Sequence, residues 1–140
     1  SRGNSGVATS IASTTGAIGY IDIADADKNK LPYAHVQNSA KQFIKPTVAN
    51  SKLFIEKQLL KASGEVAFDY NKVIRGAYDL SLVSYGLAPT ANGSAKAAAV
   101  KDYLTYFVND CARQNAAKEG YVALSGPILK KANELIRRIK

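Results

Sequence analysis

Four residues at the start of the chain, Arg2, Asn4, Ser5 and Gly6, have the types and spacing of an anion-holding turn. The run Gly3-Asn4-Ser5-Gly6-Val7 opens a short helical pattern over residues 5–14, with Val7 and Ile11 spaced for one face. The first turn of a helix has unpaired N–H groups and the positive end of the dipole. A glycine-flanked helix start beside a guanidinium therefore suits a small anion. Asn4 and Ser5 serve equally well as plain N-caps, and both roles stay open at this point. A second glycine turn, Thr15-Gly16-Ala17-Ile18-Gly19-Tyr20-Ile21, leads into an apolar run that reads as a buried strand over 17–22, ended by Asp22.

Other chemistry finds less support. Asp22, Asp25 and Asp27 are close enough for acid–base work or cation binding, yet their spacing lacks the glycine and the distal glutamate of a calcium loop. The dipole-compatible start of a short helix over 23–30, with Lys28 and Lys30 at its end, explains the same residues. Ser5 has no evident base partner, and neither a Gly-x-Ser-x-Gly elbow nor a Gly-x4-Gly-Lys-Ser/Thr loop occurs. His35 is the single histidine and Cys111 the single cysteine, too few for a structural zinc site or an intrachain disulfide. Cys111 reads as a small core residue on a helix face. The chain is expected to be no enzyme, with no catalytic residues, no metal and no cofactor.

The elements that would position these residues alternate between helices and short extended runs. Tyr33–Val36 and Gln42–Ile44 around Asn38-Ser39 predict a hairpin. Thr47 predicts an N-cap for a helix to about Ala62, stopped by Ser63-Gly64. Residues 65–76 carry no period and read as a connector. Tyr78 to Leu87 is mostly apolar, as a strand covered on both faces would be. Pro89 to Gly93 reads as a loop. Ser94 predicts the cap of a long helix to about Lys118, with Val100, Leu104, Phe107, Val108 and Cys111 on one face and Gly120 as its stop. Tyr121–Leu124 reads as a short strand. Ser125 and Pro127 then open a last helix with the stripe Ile128, Ala132, Leu135, Ile136 and Ile139.

With 140 residues, 46% of them hydrophobic and 21% charged, the composition is that of an ordinary globular domain. No run is long and apolar enough for a membrane span. The chain has no Met, so Ser1 reads as a cut or processed start. The net charge of +8 permits anionic partners, but the charges are spread out, with the densest group at Lys130, Lys131, Arg137, Arg138 and Lys140. They read as a solubilising surface, and no base-stacking motif points to nucleic acid. The stripe of the last helix, without Trp or Phe, reads as core packing.

Taken in order, these segments carry a family resemblance. Gly3-Asn4-Ser5-Gly6-Val7, Gly16-Ala17-Ile18-Gly19-Tyr20 and Lys30-Leu31-Pro32-Tyr33 are followed by Tyr78-Asp79-Leu80-Ser81-Leu82-Val83, Val100-Lys101-Asp102-Tyr103-Leu104 and Gly120-Tyr121-Val122-Ala123-Leu124. Together they resemble the second half of the periplasmic phosphate-binding proteins of bacterial phosphate ABC importers. The resemblance implies an α/β fold, half of a two-lobed type II periplasmic-binding-protein architecture with mixed sheets flanked by helices. It places residues 1–71 in one lobe, 72–76 at a hinge crossing and 77–140 in the other lobe. The chain departs from the family at Lys72-Val73-Ile74-Arg75-Gly76 and at Ser125-Gly126-Pro127. The family's main phosphate loop lies in its first half and maps onto no residue here. The resemblance further implies inorganic phosphate as ligand, ABC permease subunits as partners, and an extracytoplasmic location as a secreted or lipid-anchored protein. Any anchor would lie outside this chain. A missing N-terminal half, or a second chain, is the expected structural partner. A ligand-free interaction module of the same fold is the alternative.

Overall fold

The computed structural model describes residues 3–89 and 95–140. Arg2, the Ser94 cap and the loop residues 90–93 lie outside the described residues. Helix α1 (Gly3–Ser13) is followed by an extended segment and then by α2 (Ile23–Lys28). The carbonyl of Asp22 accepts from the backbone N–H groups of Asp25 and Ala26, which starts α2. Strands β1 (Val36–Gln37) and β2 (Phe43–Ile44) pair antiparallel, Val36 opposite Ile44. The predicted hairpin is present, and Asn38 closes its turn by accepting from the Gln42 N–H at 3.0 Å.

Helix α3 (Val48–Glu56) begins where predicted, with the Thr47 hydroxyl accepting from the Asn50 N–H. It ends six residues before the predicted Ala62. The Gln58 side chain donates to the Phe54 carbonyl and accepts from the Asp69 N–H, which turns the chain out of the helix. Leu59 and Ala62 therefore do not share a helix face with Val48 and Ile55. Strand β3 (Leu59–Leu60) pairs antiparallel with β4 (Val66–Ala67), and Ser63-Gly64 forms the turn between them. Gly64 has φ +92°, and a Cβ there would meet Leu135 Cδ1 at 2.5 Å, so only glycine fits under the last helix.

The principal core sits beside α3. Phe54 is fully buried with Ile74 and Ala77, flanked by Leu53, Ile55 and Phe68. Rings of Phe54, Phe68 and Tyr70 stack pairwise at 5.6–5.9 Å.

The C-terminal helices run almost continuously: α4 (Ala95–Tyr106), a π turn (Phe107–Cys111), α5 (Ala112–Asn115) and a 3-10 turn (Ala116–Glu119). The π turn inserts an extra residue per turn and breaks the predicted stripe. Phe107 is 45% exposed and Cys111 only half-buried, so neither is the core residue its spacing suggested. Gly120 stops the run in the left-handed region at φ +74°, as expected. Helix α6 (Gly126–Ile136) follows, with Ile136 and the trailing Ile139 buried. Asn109 and Asn133 exchange amide hydrogen bonds at 2.9 and 3.0 Å, which ties the π turn to α6. The Lys101 ammonium donates to the Arg137 and Ile139 carbonyls, closing the C-terminal end of α6.

The α/β class holds, and among the described residues the two ladders are each antiparallel. Residues 17–22, 78–87 and 121–124 are not strands. They are extended or bent, and a strand needs a neighbouring backbone that no described residue supplies.

Candidate functional site

Asn4, Ser5 and Gly6 lie together in the first turn of α1, and Arg2 lies outside the described residues. Asn4 donates its side-chain amide to the Asp22 carboxylate at 2.5 Å. The Ser5 carbonyl accepts from the Thr9 hydroxyl, and the Ser5 side chain is exposed. Asp22 thus joins α1 to the start of α2 with its side chain while its carbonyl caps α2. Its negative charge also lies beside the turn that an anion would approach. Asp25 lies in the first turn of α2, as the helix-start reading expected, whereas Asp27 lies next to its last residue because α2 stops at Lys28.

A second concavity, of about 620 Å³, opens between α2, the β2–α3 junction and residues 117–121. Lys28, Lys45 and Lys118 line it together with Asp25, Asp27 and Glu119, so its charges balance. The Lys45 ammonium stands 5.6 Å from the centre of the Tyr33 ring. Asn4, Ser5 and Gly6 are not part of this wall. Sequence reading missed the concavity because its two sides are about 70 residues apart along the chain. Gly120 is the one local signal for it. Its left-handed turn lets the chain pass within 2.8 Å, measured from an added Cβ, of Ile23.

The segment read as a hinge crossing is fastened to the β1–β2 hairpin. Buried Asn38 donates to the carbonyls of Ile74 and Ala77 at 3.3 and 3.0 Å. The Ser39 hydroxyl donates to the Lys72 carbonyl at 2.7 Å, and Gln42 accepts from the Gly76 N–H. The Ser39 N–H donates to Asp79, whose other carboxylate oxygen is buried without a partner among the described residues. Burial also pushes the Tyr78 phenol above its ordinary range. A motion centred on 72–76 would have to break this set of hydrogen bonds.

On α6, Glu134 accepts from Lys131 at 2.6 Å and from Arg138 at 2.5 Å. These bonds, Lys131 first, hold its carboxyl below the usual range. Two of the clustered C-terminal cations are therefore engaged in surface ion pairs.

The sequence is similar to known proteins along most of its length. A family model described as a PBP superfamily domain matches residues 1–110. A phosphate-binding protein PstS of Xylella fastidiosa is 28% identical over 135 residues, covering 92% of this chain and 36% of its own. One from Methanocaldococcus jannaschii is 26% identical over 156 residues, covering 99% and 39%. A shorter match, to the PstS of a second Xylella strain, is 34% identical over 76 residues, 54% of this chain and 20% of the relative. The chain spans less than two-fifths of the length of these curated relatives.

Proposed function

The chain belongs to the PBP superfamily, and on that premise we propose that it is the C-terminal part of an extracytoplasmic binder of inorganic phosphate serving an ABC-type importer. One observation carries the reading: relatives named for phosphate binding match 92% and 99% of the chain. The function is sequestration and delivery, without chemistry on the ligand. Helix N–H groups and hydroxyls replace the water around the anion, and closure of two lobes presents the loaded form to permease subunits. Residues 1–71 and 77–140 contribute to the two lobes, and 72–76 crosses between them. The rest of the fold comes from the same or a second polypeptide. Within this chain Arg2, Asn4, Ser5 and Gly6 are the contacts to test. Any membrane anchor lies outside these residues, and no described helix is long and apolar enough to cross a membrane.

The test is equilibrium dialysis of labelled phosphate against the full product of the gene. Saturable retention supports the reading, and a folded product that retains none removes phosphate and leaves the family alone.

One observation favours the alternative, a ligand-free interaction module of the same fold: the Asp22 carboxylate already occupies the Asn4 amide. The Asp22→Asn variant separates the two. If the turn contacts phosphate, removing that charge raises affinity by up to about tenfold, roughly 1.4 kcal/mol. If the protein is a ligand-free module, neither the wild type nor the variant retains phosphate.

A further inference from the structure

The outer face of α6 carries more positive charge than the fold around it uses. Lys130, Lys131, Arg137, Arg138 and Lys140 fall in its second half and the turn that follows, and Glu134 is the one acid between Gly126 and Lys140. Glu134 bonds both Lys131 and Arg138, so these side chains share one side of the helix. Lys130, four residues before Glu134, and Arg137, three after it, fall on the same side. Ile136 and Ile139 are buried on the opposite side, whereas Lys130, Arg137, Arg138 and Lys140 are exposed.

The two ordinary uses of such cations are already taken. The single carboxylate is shared by Lys131 and Arg138, and Lys130, Arg137 and Lys140 enter no ion pair among the described residues. Cations at a helix C-terminus commonly serve its last carbonyls. Here the Lys101 ammonium of α4 donates to the Arg137 and Ile139 carbonyls, and it adds one more positive charge at that end. In the β3–β4 turn, which Gly64 brings against Lys131 and Leu135, Glu65 is paired with Lys61 and offsets none of this charge.

We propose that this face docks the protein on an anionic phospholipid surface, its free cations meeting headgroup phosphates. The row Lys130, Lys131, Glu134, Arg137 and Arg138 holds no aromatic or aliphatic anchor for the core of a protein interface, and no ring on which a base could stack. A fluid array of phosphodiesters matches flexible cations without a shaped pocket. The proposal takes from the reading above only an extracytoplasmic location beside a membrane. It does not use the bound anion, so phosphate retention and membrane docking are lost separately.

The experiment is co-sedimentation of the full gene product, made without lipid modification, with vesicles of phosphatidylglycerol and phosphatidylcholine and with vesicles of phosphatidylcholine alone. Binding to the anionic vesicles only, abolished at about 1 M salt where screening acts over about 3 Å, is the expected result. Each Lys or Arg near such a surface contributes about a factor of five. Lys130→Gln with Arg137→Gln should therefore weaken binding roughly twentyfold. Lys30→Gln with Lys41→Gln removes the same charge from exposed sites elsewhere and should weaken it less than about twofold. Absence of binding, equal binding to both vesicles, or equal losses in the two double variants overturns the proposal. Retention on immobilised polyglutamate with none on vesicles also overturns it, because the partner is then an acidic protein.

Discussion

Residues 36–79 and the segments 17–22 and 80–87 are built from similarly apolar sequence and end in different states. The first region closes on itself. Its hairpin, α3 and the crossing satisfy one another through Asn38, Ser39 and Gln42, over a core centred on Phe54. The two segments are extended and largely apolar and have no ladder. What separates them is where the backbone partner lies. Asn38 reaches residues 36 and 39 positions further along the same chain, whereas residues 18–21 and 82–87 make no backbone–backbone hydrogen bond among the described residues. Apolar extended sequence thus specifies no ladder by itself, and pairing has to come from elsewhere.

The largest effect should come from Phe54→Ala, which removes the one large side chain that is fully buried among the described residues. A loss of about 3–5 kcal/mol in urea unfolding is expected. A loss near zero would mean that the 36–79 region is not the stable part. Next comes Asn38→Ala, which strands two carbonyls and one N–H. It should cost about 1–3 kcal/mol and loosen the crossing, read as faster exchange of the Gly76 and Ala77 amides. The contrasting pair, Ile18→Ser and Leu82→Ser, should change the stability of the chain alone by no more than about 0.5 kcal/mol each, because these side chains are already in water. A large loss at either position would show that the segment is packed and erase the contrast.

The smallest effect is electrostatic. The folded pKa of Glu134 lies below its unfolded value, because Lys131 and Arg138 bond the charged form. Its contribution is therefore present above the unfolded carboxylate range and is lost as pH falls through the folded pKa. Arg138 and the carboxylate are exposed to solvent and Lys131 is partly so, so the difference between the wild type and Glu134→Gln should be slight at neutral pH, screened by salt, and absent in acid.

Local signals were the legible ones. The Thr47 cap, the Asn38-Ser39 hairpin and the Gly120 stop each depend on neighbours within a few residues, and each appears where the residue types place it. Ser63-Gly64 was ambiguous by nature, since the same dipeptide ends a helix or turns a hairpin. The Gln58 side chain, eleven residues from Asp69, decides between them. The π turn left no mark in the sequence because it follows from the packing of Asn109 on Asn133. At the candidate site the helix start at Asn4, Ser5 and Gly6 was legible. Its partner Asp22, eighteen residues away, was not.

Amide hydrogen exchange on the chain alone tests the central contrast most directly. The account predicts strong protection of the hydrogen-bonded amides between Asn38 and Ala77 and exchange near the unfolded rate at 18–21 and 82–87. Equal protection of the two sets in a monomeric chain would contradict it.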